Sequence, residues 1–132
     1  MRVKISKAVN TELEVYKALQ GEDITPQILA IVNNEGKRVG FVSPDLKHEG
    51  ARVMNPADEE DRDACLEVLN EMHKKGWVHE DPHSDNFLIL DRGILSRKVY
   101  VIDFETAQRA TPSLIEDDVD KFQFFWEQRA YG

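Results

Sequence analysis

The stretch His79-Glu80-Asp81-Pro82-His83-Ser84-Asp85-Asn86-Phe87-Leu88-Ile89 decides how this chain is read, together with Val99-Tyr100-Val101-Ile102-Asp103-Phe104-Glu105 a short loop later. An acid (Asp81), an amide (Asn86) and a second acid (Asp103) stand at the ends of apolar runs. Such an arrangement brings a proton acceptor and two oxygen ligands for a hard cation into one cleft. Phe87 to Leu90 and Lys98 to Ile102 predict a hairpin around Gly93, so the amide and the second acid flank paired strands.

Upstream, Asn55-Pro56 opens a helical pattern, with Asn55 expected as N-cap and Asp58 closing a capping interaction. Cys65, Leu66, Leu69 and Met72 form its apolar stripe. Lys74 and Lys75 suit its C-terminal end, and Gly76 the C′ position. The acidic run Asp58-Glu59-Glu60-Asp61-Arg62-Asp63 reads as a solvated helix start favoured by the dipole. Downstream, Pro112 and Ser113 precede a last helix whose Ile115, Val119, Phe122 and Trp126 share one face, with Phe125 beside them, as expected of core packing. Toward the N-terminus, Arg2 to Ser6 alternates as a short strand. A helix over Glu12 to Gln20 is expected, capped by Asn10 or Thr11 and ended by Gly21. Ile28 to Val32 and Arg38 to Ser43 form a hairpin around Asn33-Asn34-Glu35-Gly36, and Lys47 to Val53 reads as loop.

The spacing His79-x-Asp81-x-x-x-x-Asn86 followed by Ile102-Asp103-Phe104 resembles the catalytic core of the protein-kinase-like superfamily. The order strand, helix, two strands, long helix, loop, two strands, helix is similar to the middle of that fold. The resemblance implies one reduced α+β domain: a small β-rich N-terminal lobe over residues 1–46 without a glycine-rich loop, and a truncated helical C-terminal lobe over 47–132. It implies ATP and Mg2+ as cofactors and transfer of the γ-phosphoryl group to a hydroxyl on a protein or small molecule. Asp81 would be the base, Asn86 and Asp103 the metal ligands, Leu88 the adenine floor, and His79 a structural brace. Val3-Lys4-Ile5 is similar to the strand that offers a phosphate-contacting lysine. Glu12 would be its acidic partner, with Glu14 competing. Lys4 also fits a plain reading, as the wet face of an edge strand formed by Arg2, Lys4 and Ser6.

The departures are informative. His83 stands where protein kinases have lysine, as in the aminoglycoside phosphotransferase branch, and Ile-Asp-Phe-Glu is similar to choline-kinase sequences. Glu80 replaces the arginine of His-Arg-Asp, which removes the partner of an activation-loop phosphosite. No Gly-x-Gly-x-x-Gly loop is present. Three consequences stay open: weak nucleotide affinity, a protein partner completing the cleft, or an inactive pseudokinase serving as a binding module. A separate reading takes His79, Asp81, His83 and Asp85 as an alternating transition-metal site, against which Pro82 breaks the strand such a site needs.

Composition narrows the field. A net charge of −8 argues against binding a nucleic-acid backbone. The lone cysteine, Cys65, cannot form an internal disulfide and is compatible with a reducing compartment. Neither a secretory h-region nor a stretch of membrane-spanning length is visible, so a cytoplasmic protein that binds no membrane is expected.

Overall fold

The computed structural model describes residues 1–93 and 96–131. The chain begins with β1 (Arg2–Ile5), α1 (Val9–Leu19) and the hairpin β2 (Ala30–Asn34) and β3 (Lys37–Ser43). These strands form an antiparallel sheet in the order β1-β3-β2, with Lys4 opposite Phe41 and Ile31 opposite Phe41 on the other side. Glu35 and Gly36 both have positive φ (52° and 77°). That is the turn geometry whose twist suits a two-residue hairpin, and it explains glycine at 36. Two helix-end expectations fail on α1. Neither Asn10 nor Thr11 caps it: Ala8 is the N-cap residue and its amide is held by Ser6 Oγ at 3.1 Å. At the far end the helix tightens into a 3₁₀ turn (Gln20–Glu22), and Asp23, not Gly21, takes the left-handed position (φ 54°).

Next come β4 (Arg52–Val53) and α2 (Glu59–Lys74). The segment read as loop therefore contains a strand: Arg52 pairs with Ile89 and Val53 with Leu88. Asp58, not Asn55, is the N-cap of α2, accepting from the amides of Glu60 (3.0 Å) and Asp61 (3.3 Å). Asn55 instead caps the preceding turn through Ala57 N. Nor is the acidic run wholly solvated. Asp61 is fully buried, bound by Arg52 at 2.6 Å and by Arg97 at 3.1 Å. Gly76 ends α2 with φ 92°, as expected.

β5 (Trp77–Val78), β6 (Phe87–Asp91), β7 (Arg97–Val101), β8 (Gln108–Arg109) and α3 (Pro112–Tyr131) complete the chain. The β6–β7 hairpin pairs Phe87 with Val101 and Asp91 with Arg97. Pro112 lies inside α3 rather than before it, and Thr111 Oγ1 caps the helix through Leu114 N. Phe122 is buried; Ile115, Val119, Phe125 and Trp126 are half-buried, and Phe124 is exposed. Among the described residues no helix is long and apolar enough to cross a membrane.

One core joins the elements: Val15, Tyr16 and Leu19 of α1, Phe41 of β3, Cys65, Leu69 and Met72 of α2, Phe87 and Ile89 of β6, and Phe122 of α3. A relay of edge-to-face rings crosses it, Phe41 to Tyr16 (5.3 Å), Tyr16 to Phe104 (4.9 Å) and Phe104 to His79 (5.6 Å). Each such pair adds about 0.5–1.5 kcal/mol beyond area burial. The relay ties the N-terminal sheet to both polar motifs through Phe104 and His79.

Candidate active site

The loop after β5 is built around His79, which is fully buried. Its Nδ1 accepts from the amide of Asp81 at 3.1 Å, so the neutral ring carries its proton on Nε2 and donates to the carbonyl of Ile102 at 2.8 Å. Burial holds its pKa below the ordinary histidine value, despite the Ile102 bond and the nearby carboxylates. The imidazole thus clamps the residue before Asp103 to the loop carrying Asp81. With both nitrogens occupied, His79 is unavailable to a metal. Among the described residues no group of three His, Cys, Asp or Glu side chains is placed to hold one, so the alternating His/Asp reading fails.

Asn86 lies in a 3₁₀ turn (Ser84–Asn86) entering β6. Its Nδ2 donates to the carbonyl of Asp81 at 2.8 Å. That bond fixes the amide orientation and leaves Oδ1, the atom a hard cation would use, outside the tie. Asp103 follows β7 with φ 67°, and Glu80 has φ 74°. Left-handed backbone at a non-glycine residue costs on the order of 1–3 kcal/mol and collects at functional sites.

Both strained segments are held by carboxylates. Glu12, fully buried on α1, accepts through Oε1 from the amide of Phe104 (3.0 Å) and from Lys4 Nζ (2.9 Å). Lys4 Nζ also reaches Asp103 Oδ1 (3.0 Å) and Glu105 Oε1 (3.4 Å). Lys4 is thus drawn inward and is not the wet face of an edge strand. Burial alone would lower its pKa, but the bonds to Glu12 and Asp103 outweigh that and raise it. For Asp103, burial pushes upward and the Lys4 ammonium outweighs it, holding the carboxyl below the usual range. Glu14, the competing partner, faces Arg109 at 2.7 Å.

Asp118 on α3 holds the other segment, and sequence reasoning missed it. It is fully buried and accepts from the amides of His79 (Oδ2, 2.8 Å) and Glu80 (Oδ1, 2.8 Å), while His73 Nε2 lies 2.7 Å from Oδ2. Burial pushes its pKa up, but these bonds prevail and hold it low. A signal existed: Leu114, Asp118 and Phe122 fall four apart on one helix face, and a charge on such a stripe needs a buried partner. Glu80 pairs with Lys121 of the same helix at 3.1 Å.

A cleft of about 410 Å³ opens beside these groups, lined by Asn86, Leu88 and Asp103 with Arg2, Leu46 and Ile102. Its volume is within the usual range of small-molecule sites. Lys4, Glu12 and Asp81 do not line it; Lys4 reaches it through Asp103, Glu12 through Lys4, and Asp81 through its carbonyl bond to Asn86. Leu88 packs with Leu46, Ala51 and Ile102 in a small apolar cluster on its wall. A larger hollow of about 940 Å³ lies between α1 and β2 behind Pro44, but none of the six candidate residues lines it. Chemistry rather than size selects the smaller cleft.

Two solved structures of a Rio2 kinase from Chaetomium thermophilum share this architecture. One, an ADP/Mg2+-phosphoaspartate complex, matches with TM-score 0.65 and 19% identity over 95% of this chain and 39% of that one. The other gives 0.63 and 20% over 95% and 40%. The fold is a reduced protein-kinase-like fold. The chain spans about two fifths of the length of those kinases. No protein-family model and no curated protein matches the sequence.

Proposed function

We propose that this chain is an ATP-dependent phosphotransferase core that delivers the γ-phosphoryl group to a hydroxyl on a protein or small molecule. The observation that carries the reading is the bridge by Lys4 Nζ between Glu12 (2.9 Å) and Asp103 (3.0 Å), ninety-nine residues away in sequence. It joins a cation for phosphate to Asp103, the carboxylate for metal that lines the cleft. In this reading residues 1–46 and 47–132 are the two lobes around it.

The donors fit Mg2+: Asn86 Oδ1 and the half-exposed Asp103 carboxylate are hard oxygens lining one cavity. When bound, Mg2+ supplies charge neutralisation on the phosphates. Lys4, oriented by Glu12, adds an ammonium toward them. Leu88 gives the adenine an apolar floor. Asp81, held through its amide by His79 and half-exposed, accepts or orients the acceptor hydroxyl. The ADP/Mg2+ of the Rio2 kinase complex agrees with these cofactors.

The second reading, an inactive pseudokinase, is favoured by one observation. Three carboxylates already surround Lys4 Nζ, so phosphate must displace at least one. One experiment separates the two. Under the enzyme reading, labelled ATP and Mg2+ with protein and amino-alcohol acceptors give product that Asp81→Ala abolishes without unfolding the chain. MgATP at about 100 times its Kd raises stability by roughly 2.7 kcal/mol, and Asp103→Asn removes that shift. Binding without turnover establishes the pseudokinase; neither binding nor turnover sinks the nucleotide site.

A further inference from the structure

His83 touches both halves of the loop. Its Nδ1 lies 3.2 Å from the amide nitrogen of Asp85, and its Nε2 lies 3.3 Å from Asn86 Nδ2 and 3.4 Å from Asp81 Oδ2. Asp85 Oδ2 is 3.9 Å from Nδ1, and the Phe125 ring meets the imidazole edge-on at 5.9 Å. A backbone amide can only donate, so Nδ1 accepts. A neutral imidazole has one donor and one acceptor, which leaves the proton on Nε2. Asn86 Nδ2 is itself a donor, committed to the carbonyl of Asp81 at 2.8 Å. The acceptor left to Nε2–H is the Asp81 carboxylate. At 3.4 Å the two groups are in charge contact but not in hydrogen-bond geometry, and such catalytic contacts are often poorly aligned before substrate binds and tighten only then.

We propose that His83 is a positioning residue for the phosphotransferase reaction: Nε2–H aims the Asp81 carboxylate, while the ring, braced by Phe125, packs beside the Asn86 amide without bonding it. The Asn86 amide is tied to the same loop by its own bond to the Asp81 carbonyl. No proton transfer is assigned to His83. The inference rests on the phosphotransferase reading above.

Two near-isosteres test it. The side-chain nitrogen of glutamine reaches the place of imidazole Nε2, whereas asparagine stops at the place of Nδ1. ADP formation from MgATP is measured in the wild-type chain and in His83→Ala, His83→Asn and His83→Gln, with MgADP affinity and urea midpoints alongside. The expected result is a fall in kcat of roughly tenfold or more for the alanine and asparagine variants, with KM for MgATP and MgADP affinity little changed, and most of kcat restored by glutamine. A glutamine variant no better than asparagine, or an alanine variant equal to wild type, overturns this inference alone. A wild-type chain without turnover, whether or not it binds MgADP, overturns the phosphotransferase reading and this inference with it.

Discussion

Asp118 Oδ2 accepts a hydrogen bond from the backbone nitrogen of His79 at 2.8 Å across thirty-nine residues of sequence. Its other oxygen takes the amide of Glu80, whose φ is positive. A buried carboxylate on α3 thus compensates a strained turn in the loop that carries Asp81. Asp118→Asn removes the charge and turns an amide N–H toward a donor. The expected loss is about 3 kcal/mol or more, read as a lower urea midpoint at pH 7. An unchanged midpoint would show that the loop holds itself.

Asp61 is the second buried anion, and it joins three elements. Arg52 of β4 and Arg97 of β7 both bind it, and it accepts from Asn55 N at 2.9 Å. Asp61→Ala removes the anion that both guanidinium groups share, while Arg52 keeps Asp91 and Arg97 keeps Glu60 and Asp58, so it should cost about 1.5–3 kcal/mol. Arg52→Ala should cost less, because Asp61 retains Arg97 and the Asn55 amide. Chemical denaturation of the two variants checks the order; the reverse order would mean that Arg52–Asp91 (2.8 Å) carries the network instead.

The sequence was legible where chemistry and local pattern coincide. Asn86 and Asp103 stand at offsets that one hairpin brings to the same cleft, and Asn86 bonds the Asp81 carbonyl at 2.8 Å. Lys4 and Glu12 are joined by one strand and one helix start. The helix ends were less legible because Asn55 and Asp58 are both good caps, and both are used, Asp58 at the helix and Asn55 at the turn before it. The least legible feature was long-range pairing. Nothing near Asp61 in sequence marks it as buried, since Arg52 and Arg97 reach it from two strands. Asp118 finds its amides only through tertiary packing. Glu14 and Glu12, two residues apart, were separated by helix rotation, which faces one to Arg109 and the other to Lys4.

Gly40 makes a backbone prediction. It lies opposite Ile5 in the β1–β3 ladder, and a Cβ there would stand 2.1 Å from the carbonyl oxygen of Lys4. No rotamer change relieves a clash with backbone, so Gly40→Ala must push β1 away from β3 and carry Lys4 with it. The expected result is a lower Tm together with weaker MgATP binding. An alanine at the exposed, unobstructed Gly21 is the control and should leave both unchanged. Loss in both variants would remove the ladder from the explanation.

Acid should act on this fold in two stages, with the sign set by which state binds the proton. His79 is neutral in the folded chain because burial lowers its pKa from 6.5. Below pH 6.5 the unfolded chain takes up a proton that the folded chain refuses. Stability therefore falls with pH, by up to about 1.4 kcal/mol per unit until the folded value is reached. Asp61, Asp103 and Asp118 behave as carboxylates held below 3.8 by their partners despite burial. Their contribution is whole above 3.8 and is lost as pH drops through the lower folded values. Urea unfolding between pH 7.5 and 4.5 isolates the histidine stage. His79→Gln, which cannot titrate, should give a flatter profile there. Equal slopes in the two chains would show that another group takes up the proton.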